Sequence, residues 1–240
     1  MTCGKAQLKY KLRWQEQADR RKRLREKSGQ VFSIAAENAP VPGCTTSREV
    51  EGGENSIVYF SLAGETDISA EMHPCRKLIL VAEGQLEIYG TGHKTACLQA
   101  GDGILLAADL AAGMRTATGA VYTEVRIRKE DHMNELMKAG EVFRLAELIP
   151  YQEGKIVNMD LAHGEGMKFA LMAFDAGSEL PEHAAPGEAL VFALDGRGVI
   201  GYEGKEYSIQ AGENFHFAKG GKHFVRAEER FKMALLLTLQ

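Results

Sequence analysis

From Ile57 onward the chain alternates short apolar runs with isolated Gly, Asp, Glu and Asn residues. SIVYFSLA (56–63), KLILVAEG (77–84), LEIYG (86–90), GILLAA (103–108) and VYTEVRIR (121–128) have the length and composition of strands, set close enough for a β-sandwich or barrel. The texture breaks at residues 130–139, EDHMNELMKA. There Met133, Leu136 and Met137 fall on one helical face, acidic residues lead and Gly140 supplies a stop, which predicts a short connector helix. Strand texture then resumes with KIVNMDL (155–161), MKFALMAF (167–174), ALVFAL (189–194), GVIGY (198–202), NFHFA (214–218) and FKMALLLTL (231–239). Ahead of all this, residues 5–27 read as a charged helix stopped by Ser28-Gly29. Leu8/Leu12 and Tyr10/Trp14 are one turn apart in it, but no continuous apolar stripe follows. Residues 38–56, with two prolines and three glycines, predict an irregular crossing.

The resumed pattern is a repeat. KLILVAEG at 77 aligns with ALVFALDG at 189, an offset of 112 at which Gly92 also meets Gly204. Gln99-Ala100-Gly101 matches Gln210-Ala211-Gly212 after a slip of one residue, and Ile104 and Ala107 then meet Phe215 and Ala218. Two copies of one all-β unit follow. The expected division is a basic helical extension at 1–29, a first barrel at 30–129, the connector at 130–140 and a second barrel at 141–240.

Charge adds an asymmetry that the hydrophobic pattern does not show. The 240 residues carry a net charge of −4, yet residues 1–29 hold ten Lys/Arg against three Asp/Glu, while 30–240 hold nineteen against thirty. A basic arm therefore precedes an acidic body, and docking of the arm on that body, within one chain or across a homodimer, is the expected use. Nucleic-acid binding is not expected, because the acidic body opposes a polyanion. No run approaches the roughly 20 apolar residues of a membrane span, and charges from Lys5 onward interrupt any apolar leader. Four cysteines form no disulfide framework, which fits a reducing cytoplasm.

The repeated unit resembles the cupin family, whose two motifs are G-x5-H-x-H-x(3,4)-E-x6-G and G-x5-P-x-G-x2-H. GSELPEH (177–183) opens the first motif and Gly196 closes it; GENFHFAKGGKH (212–223) follows the second, with Ala218 in place of Pro. In the N-terminal copy EMHPCRKLILVAEG (71–84) has the spacing of the first motif, and Gly101 to Ala107 opens a second that then degrades. The resemblance implies an all-β chain of two tandem cupin barrels (double-stranded β-helix, or jelly-roll), each with a pocket in its mouth. In the family three His and one Glu converge there on a divalent metal such as Fe, Zn, Mn or Ni.

This chain departs from that set. In the C-terminal copy His183 and His223 occupy ligand positions, but the other two read Ala185 and Ala189. Glu188 is one residue out of phase and needs a bulge at Pro186-Gly187 to join them. His216 lies on the face opposite Phe215 and Phe217, as a packed residue does. In the N-terminal copy the four positions read Glu71, His73, Lys77 and Ala112, and an ammonium in the carboxylate's place repels a cation. A Lys77–Glu71 ion pair is expected there, with a Glu71/His73/Cys75 metal or redox site as the alternative. The candidate ligand-binding residues are thus His183, Glu188, His216, His223, Glu71 and His73, with His183 and His223 as candidate metal ligands. The expected function is small-molecule binding in the C-terminal barrel mouth. Two alternatives stand: a metal-dependent isomerase, decarboxylase or dioxygenase using His183 and His223, and a regulatory or assembly protein using the basic arm.

Overall fold

The computed structural model describes residues 26–90 and 95–239. The basic helix expected over 5–27 lies outside the described residues except for its last two positions.

The regular structure of the described chain is almost entirely strand. Its first half supplies β2 (Thr45–Glu51), β3 (Ile57–Leu62), β4 (Thr66–Met72), β5 (Arg76–Gly90), β6 (Ala96–Gln99), β7 (Asp102–Leu106), β8 (Ala111–Thr116) and β9 (Ala120–Ile127). Its second half supplies β12 (Ile156–His163), β13 (Met167–Phe174), β14 (Glu179–Ala184), β15 (Glu188–Tyr202), β16 (Lys205–Gln210), β17 (Asn214–Phe217), β18 (Lys222–Arg226) and β19 (Phe231–Thr238). The pairing plan is the same in both. One path runs β7-β5-β9-β3-β2 and the other β17-β15-β19-β13-β12, while β4–β8 and β14–β18 close over the far ends of β5 and β15. The strands β5 and β15 span 15 residues each, stand 112 positions apart, and take part in both layers of their unit. Each slips register once, between Val81 and Glu83 and between Ala193 and Asp195, where a bulge lets a long strand bend.

The continuous apolar runs that marked these strands have a physical cause: both faces are buried. On β15, Ala189, Val191 and Ala193 enter the core inside the C-terminal unit, with Phe215, Phe217 and Tyr202. Leu190 and Phe192 point the other way, into a core that they share with Leu78, Leu80, Ile57 and Tyr59 of the N-terminal unit. On β5 the partition repeats, with Ile79 and Val81 in the N-terminal interior beside Leu62 and Ile104. The two units are thus joined back to back through apolar sheet faces.

Short edge strands strengthen that join by crossing over. β1 (Val31–Phe32) precedes the N-terminal unit but pairs with β17 of the C-terminal one. Conversely, β11 (Val142–Arg144), late in the chain, pairs with β7. Sheet membership therefore differs from the expected division at both strands, since β1 falls within 30–129 and β11 within 141–240. A one-turn helix, α1 (Ile34–Glu37), sits between, capped by the Ser33 side chain; Asn214 accepts from the Ile34 N–H at 3.1 Å.

Two sequence expectations are corrected. Residues 130–140 form no connector helix: His132–Met133 is β10, paired with β12, and Ala139 bridges to Leu105. The helical spacing of Met133 and Met137 was real, but sheet pairing claims the backbone, and Met137 reaches the shared core from a turn. Nor is 38–56 irregular throughout, since β2 pairs with β3 from Thr45.

Candidate functional site

In the C-terminal unit β14 and β18 pair so that His183 stands directly opposite His223. The ring centroids are 4.2 Å apart, and the His223 ring stacks on Phe217 at 4.0 Å. His223 is buried and His183 exposed, so the pair leads from the aromatic interior to the surface. Both rings are oriented by backbone: Nδ1 of His183 lies 2.9 Å from the Pro181 carbonyl, and Nδ1 of His223 lies 3.0 Å from that of Gly221. A carbonyl only accepts, so each Nδ1 carries the proton, and in the neutral ring Nε2 is left as an acceptor. Burial pushes the His223 pKa below the usual imidazole value; the Gly221 carbonyl pulls the other way and the neighbouring His183 adds to the depression.

Glu188 and His216 do not join this pair. They bond to each other instead, His216 Nε2 to Glu188 Oε2 at 2.7 Å, while His216 Nδ1 donates to the Glu26 carbonyl at 3.1 Å. There is no bulge at Pro186-Gly187: Glu188 pairs in register with Thr238, and its side chain takes the face of Leu190 and Phe192, away from the barrel interior. The bulge postulated to bring Glu188 to His183 is therefore corrected.

In the N-terminal unit Glu71 and His73 do come together, Oε2 to Nε2 at 3.5 Å. Lys77 does not pair with Glu71. Its Nζ lies 3.2 Å from Glu124 Oε2, and Arg126 Nε lies 3.4 Å from Glu124 Oε1. The ion pair expected from sequence thus has the wrong carboxylate. Glu124 is 47 positions away, and only the β5–β9 register makes it a neighbour. Burial lowers the His73 pKa, with Lys77 and Arg126 adding to the effect against Glu124 and Glu71. A cavity of about 110 Å³ is lined by this group together with Tyr122, Phe60, Ile68 and Met114. The sequence reading missed Tyr122, Glu124 and Arg126. Their spacing at every second position in VYTEVRIR was the available signal, since it puts all three on one face of a strand.

The two interiors have diverged. By matched register, Tyr122, Glu124 and Arg126 correspond to Met233, Leu235 and Leu237, and Lys77 corresponds to Ala189. One interior is ionic and the other apolar.

Residues 170–239 match the Cupin_2 family, described as "Cupin domain". The matched segment has the cupin fold. Among solved structures, a cupin 2 conserved barrel domain protein from Leptotrichia buccalis is 26% identical with a TM-score of 0.77, covering 90% of this chain and 99% of its own. A salicylate 1,2-dioxygenase variant from Pseudoaminobacter salicylatoxidans, in complex with gentisate, aligns at 12% identity and TM-score 0.61 over 87% of this chain and 81% of that one. A Bacillus subtilis oxalate decarboxylase, described for its Mn(II) centers, aligns at 13% and 0.50 over 88% and 78%. These last two share the cupin fold with this chain, and nothing more is drawn from them. No curated protein matches the chain.

The cupin fold raises the question of a metal, and the side chains answer it. Among the described residues no three or more of His, Cys, Asp and Glu gather as a metal cluster would. The two positions that complete the family's donor set are Ala185 and Ala189, both buried in the C-terminal interior. Two imidazoles without a carboxylate do not fit a resident divalent metal. Cys44, Cys75 and Cys97 are free, and Cys75 does not complete a site with Glu71 and His73. No described helix is long and apolar enough to cross a membrane.

Proposed function

We propose that this chain is a two-barrel cupin that binds a small organic molecule in the mouth of its C-terminal barrel, without a resident metal. The barrels comprise residues 30–129 and 141–240, less the edge strands they exchange. The observation that carries the reading is the His183–His223 pair: two rings in contact, each Nδ1 bonded to a backbone carbonyl, each Nε2 left as an acceptor. Such a pair suits a ligand bearing hydroxyl or N–H donors, with Phe217 supplying an aromatic floor behind His223. Fixed ring orientation means that little is lost on binding to order the site.

The test is a thermal-shift screen of small polyols, amides and amines against the full chain, repeated with His183→Ala and His223→Ala. A hit whose stabilisation disappears in both variants supports the reading. A hit unaffected by either variant, or stoichiometric transition metal retained by the purified protein and lost in both variants, overturns it.

A further inference from the structure

We propose that the N-terminal unit holds a second, separate ligand site: the cavity between Lys77, Tyr122 and Arg126 binds a short-chain carboxylate.

The argument starts from an unpaired donor. Tyr122 is fully buried, it is one of the residues that line the cavity, and its hydroxyl has no hydrogen-bond partner among the described residues. Leaving a buried hydroxyl unpaired costs free energy that a bound acceptor restores. Burial, with Glu124 adding, raises the Tyr122 pKa well above the usual phenol value, so the group stays a donor.

Charge specifies the acceptor. Lys77 and Arg126 are two cations that share the one buried carboxylate, Glu124; with Glu71 counted the lining is neutral, and the positive balance rests on Glu71 being more exposed than Arg126, 67% against 38%. Lys77 is almost wholly buried and carries three N–H donors, with Glu124 Oε2 taking up one. Glu71 is the opposing charge, but its side chain is 67% exposed and stands at the rim, where water screens it. Lys77 therefore places an ammonium on the cavity wall, where it repels a cation.

Size and shape narrow the class. A cavity of about 110 Å³ holds the equivalent of roughly four waters at ~30 Å³ each, which suits a short acid. Phe60, Ile68 and Met114 add apolar lining suited to a small carbon tail. A second, larger cavity of about 340 Å³ shares His73 and Arg126 with this one and adds Arg128 and Lys129 together with Glu54 and Glu130.

The experiment is isothermal titration of the full chain with acetate, pyruvate and inorganic phosphate. Pyruvate is expected to bind saturably at one site. The isosteric Tyr122→Phe variant, which keeps the ring and the fold, should weaken it about tenfold, and Lys77→Gln should abolish it. His183→Ala should leave it unchanged, so that failure here is distinct from failure of the C-terminal reading. Wild-type affinity in Tyr122→Phe, tighter binding of phosphate than of pyruvate, loss of binding in His183→Ala, or no saturable binding of either acid at millimolar concentration would each overturn the proposal.

Discussion

His216 and Glu188 satisfy each other across the β15–β17 pair, imidazole Nε2 to carboxylate Oε2 at 2.7 Å, with both side chains almost wholly buried. They sit on the face of β15 that turns toward the N-terminal unit, and His216 also holds the Glu26 carbonyl. The pair is therefore a joint between layers of the molecule, and its loss is a matter of stability.

Removing one member leaves the other buried without its partner. His216→Ala is expected to destabilise the chain by about 2–4 kcal/mol in chemical denaturation, without affecting any ligand that depends on His183. A variant that unfolds at the wild-type denaturant concentration would show that the pair contributes nothing.

The pH dependence of stability follows from His223. The folded chain disfavours its protonation, whereas the unfolded chain protonates it near the ordinary value of about 6.5. Below that value unfolding takes up a proton, so stability falls as pH falls; above it both states are neutral and the residue contributes no slope. Burial depresses His73 in the same sense. In His223→Gln the decline between about pH 7 and pH 5 should become shallower but persist, which denaturation midpoints across that range would reveal.

Gly196 closes the first motif of the C-terminal copy, and its φ is +69°. A methyl there would run into the Arg230 carbonyl of the neighbouring strand. Gly196→Ala combines left-handed strain with a backbone clash, and a loss above ~2 kcal/mol or failure to fold is expected in expression and thermal melts.

The crossed strand β1 hangs on Asn214, whose side chain accepts from Ile34 N–H at 3.1 Å and donates to the Val191 carbonyl at 3.2 Å. Asn214→Ala should cost about 2 kcal/mol. Amide exchange at Ile34 should accelerate more than at residues of β13. Uniform acceleration would mean that β1 is no weaker than the sheet that it joins.

Much of the fold was legible in the sequence because strands buried on both faces leave long apolar runs, and β5 and β15 left the same run twice. What was not legible depended on partners remote in the chain. Residues 130–139 carry a sound helical pattern, but β12 and Leu105 capture their backbone. Lys77 was assigned to the nearby Glu71, when the register of β9 delivers Glu124. His183 and His223 were found because the family motifs space them; Tyr122 was missed because no motif includes it and a single aromatic in a strand reads as core.

The crossing of β1 also constrains the order in which the molecule can be completed during synthesis. Ile34 and Asn214 are 180 residues apart, so the stretch carrying β1 leaves the ribosome well before its partner and has nowhere to dock until β17 follows. Some 180 further residues must be made before β1 finds its place, and until then the apolar Phe32 and Ile34 that will enter the shared core remain exposed to whatever else is nearby.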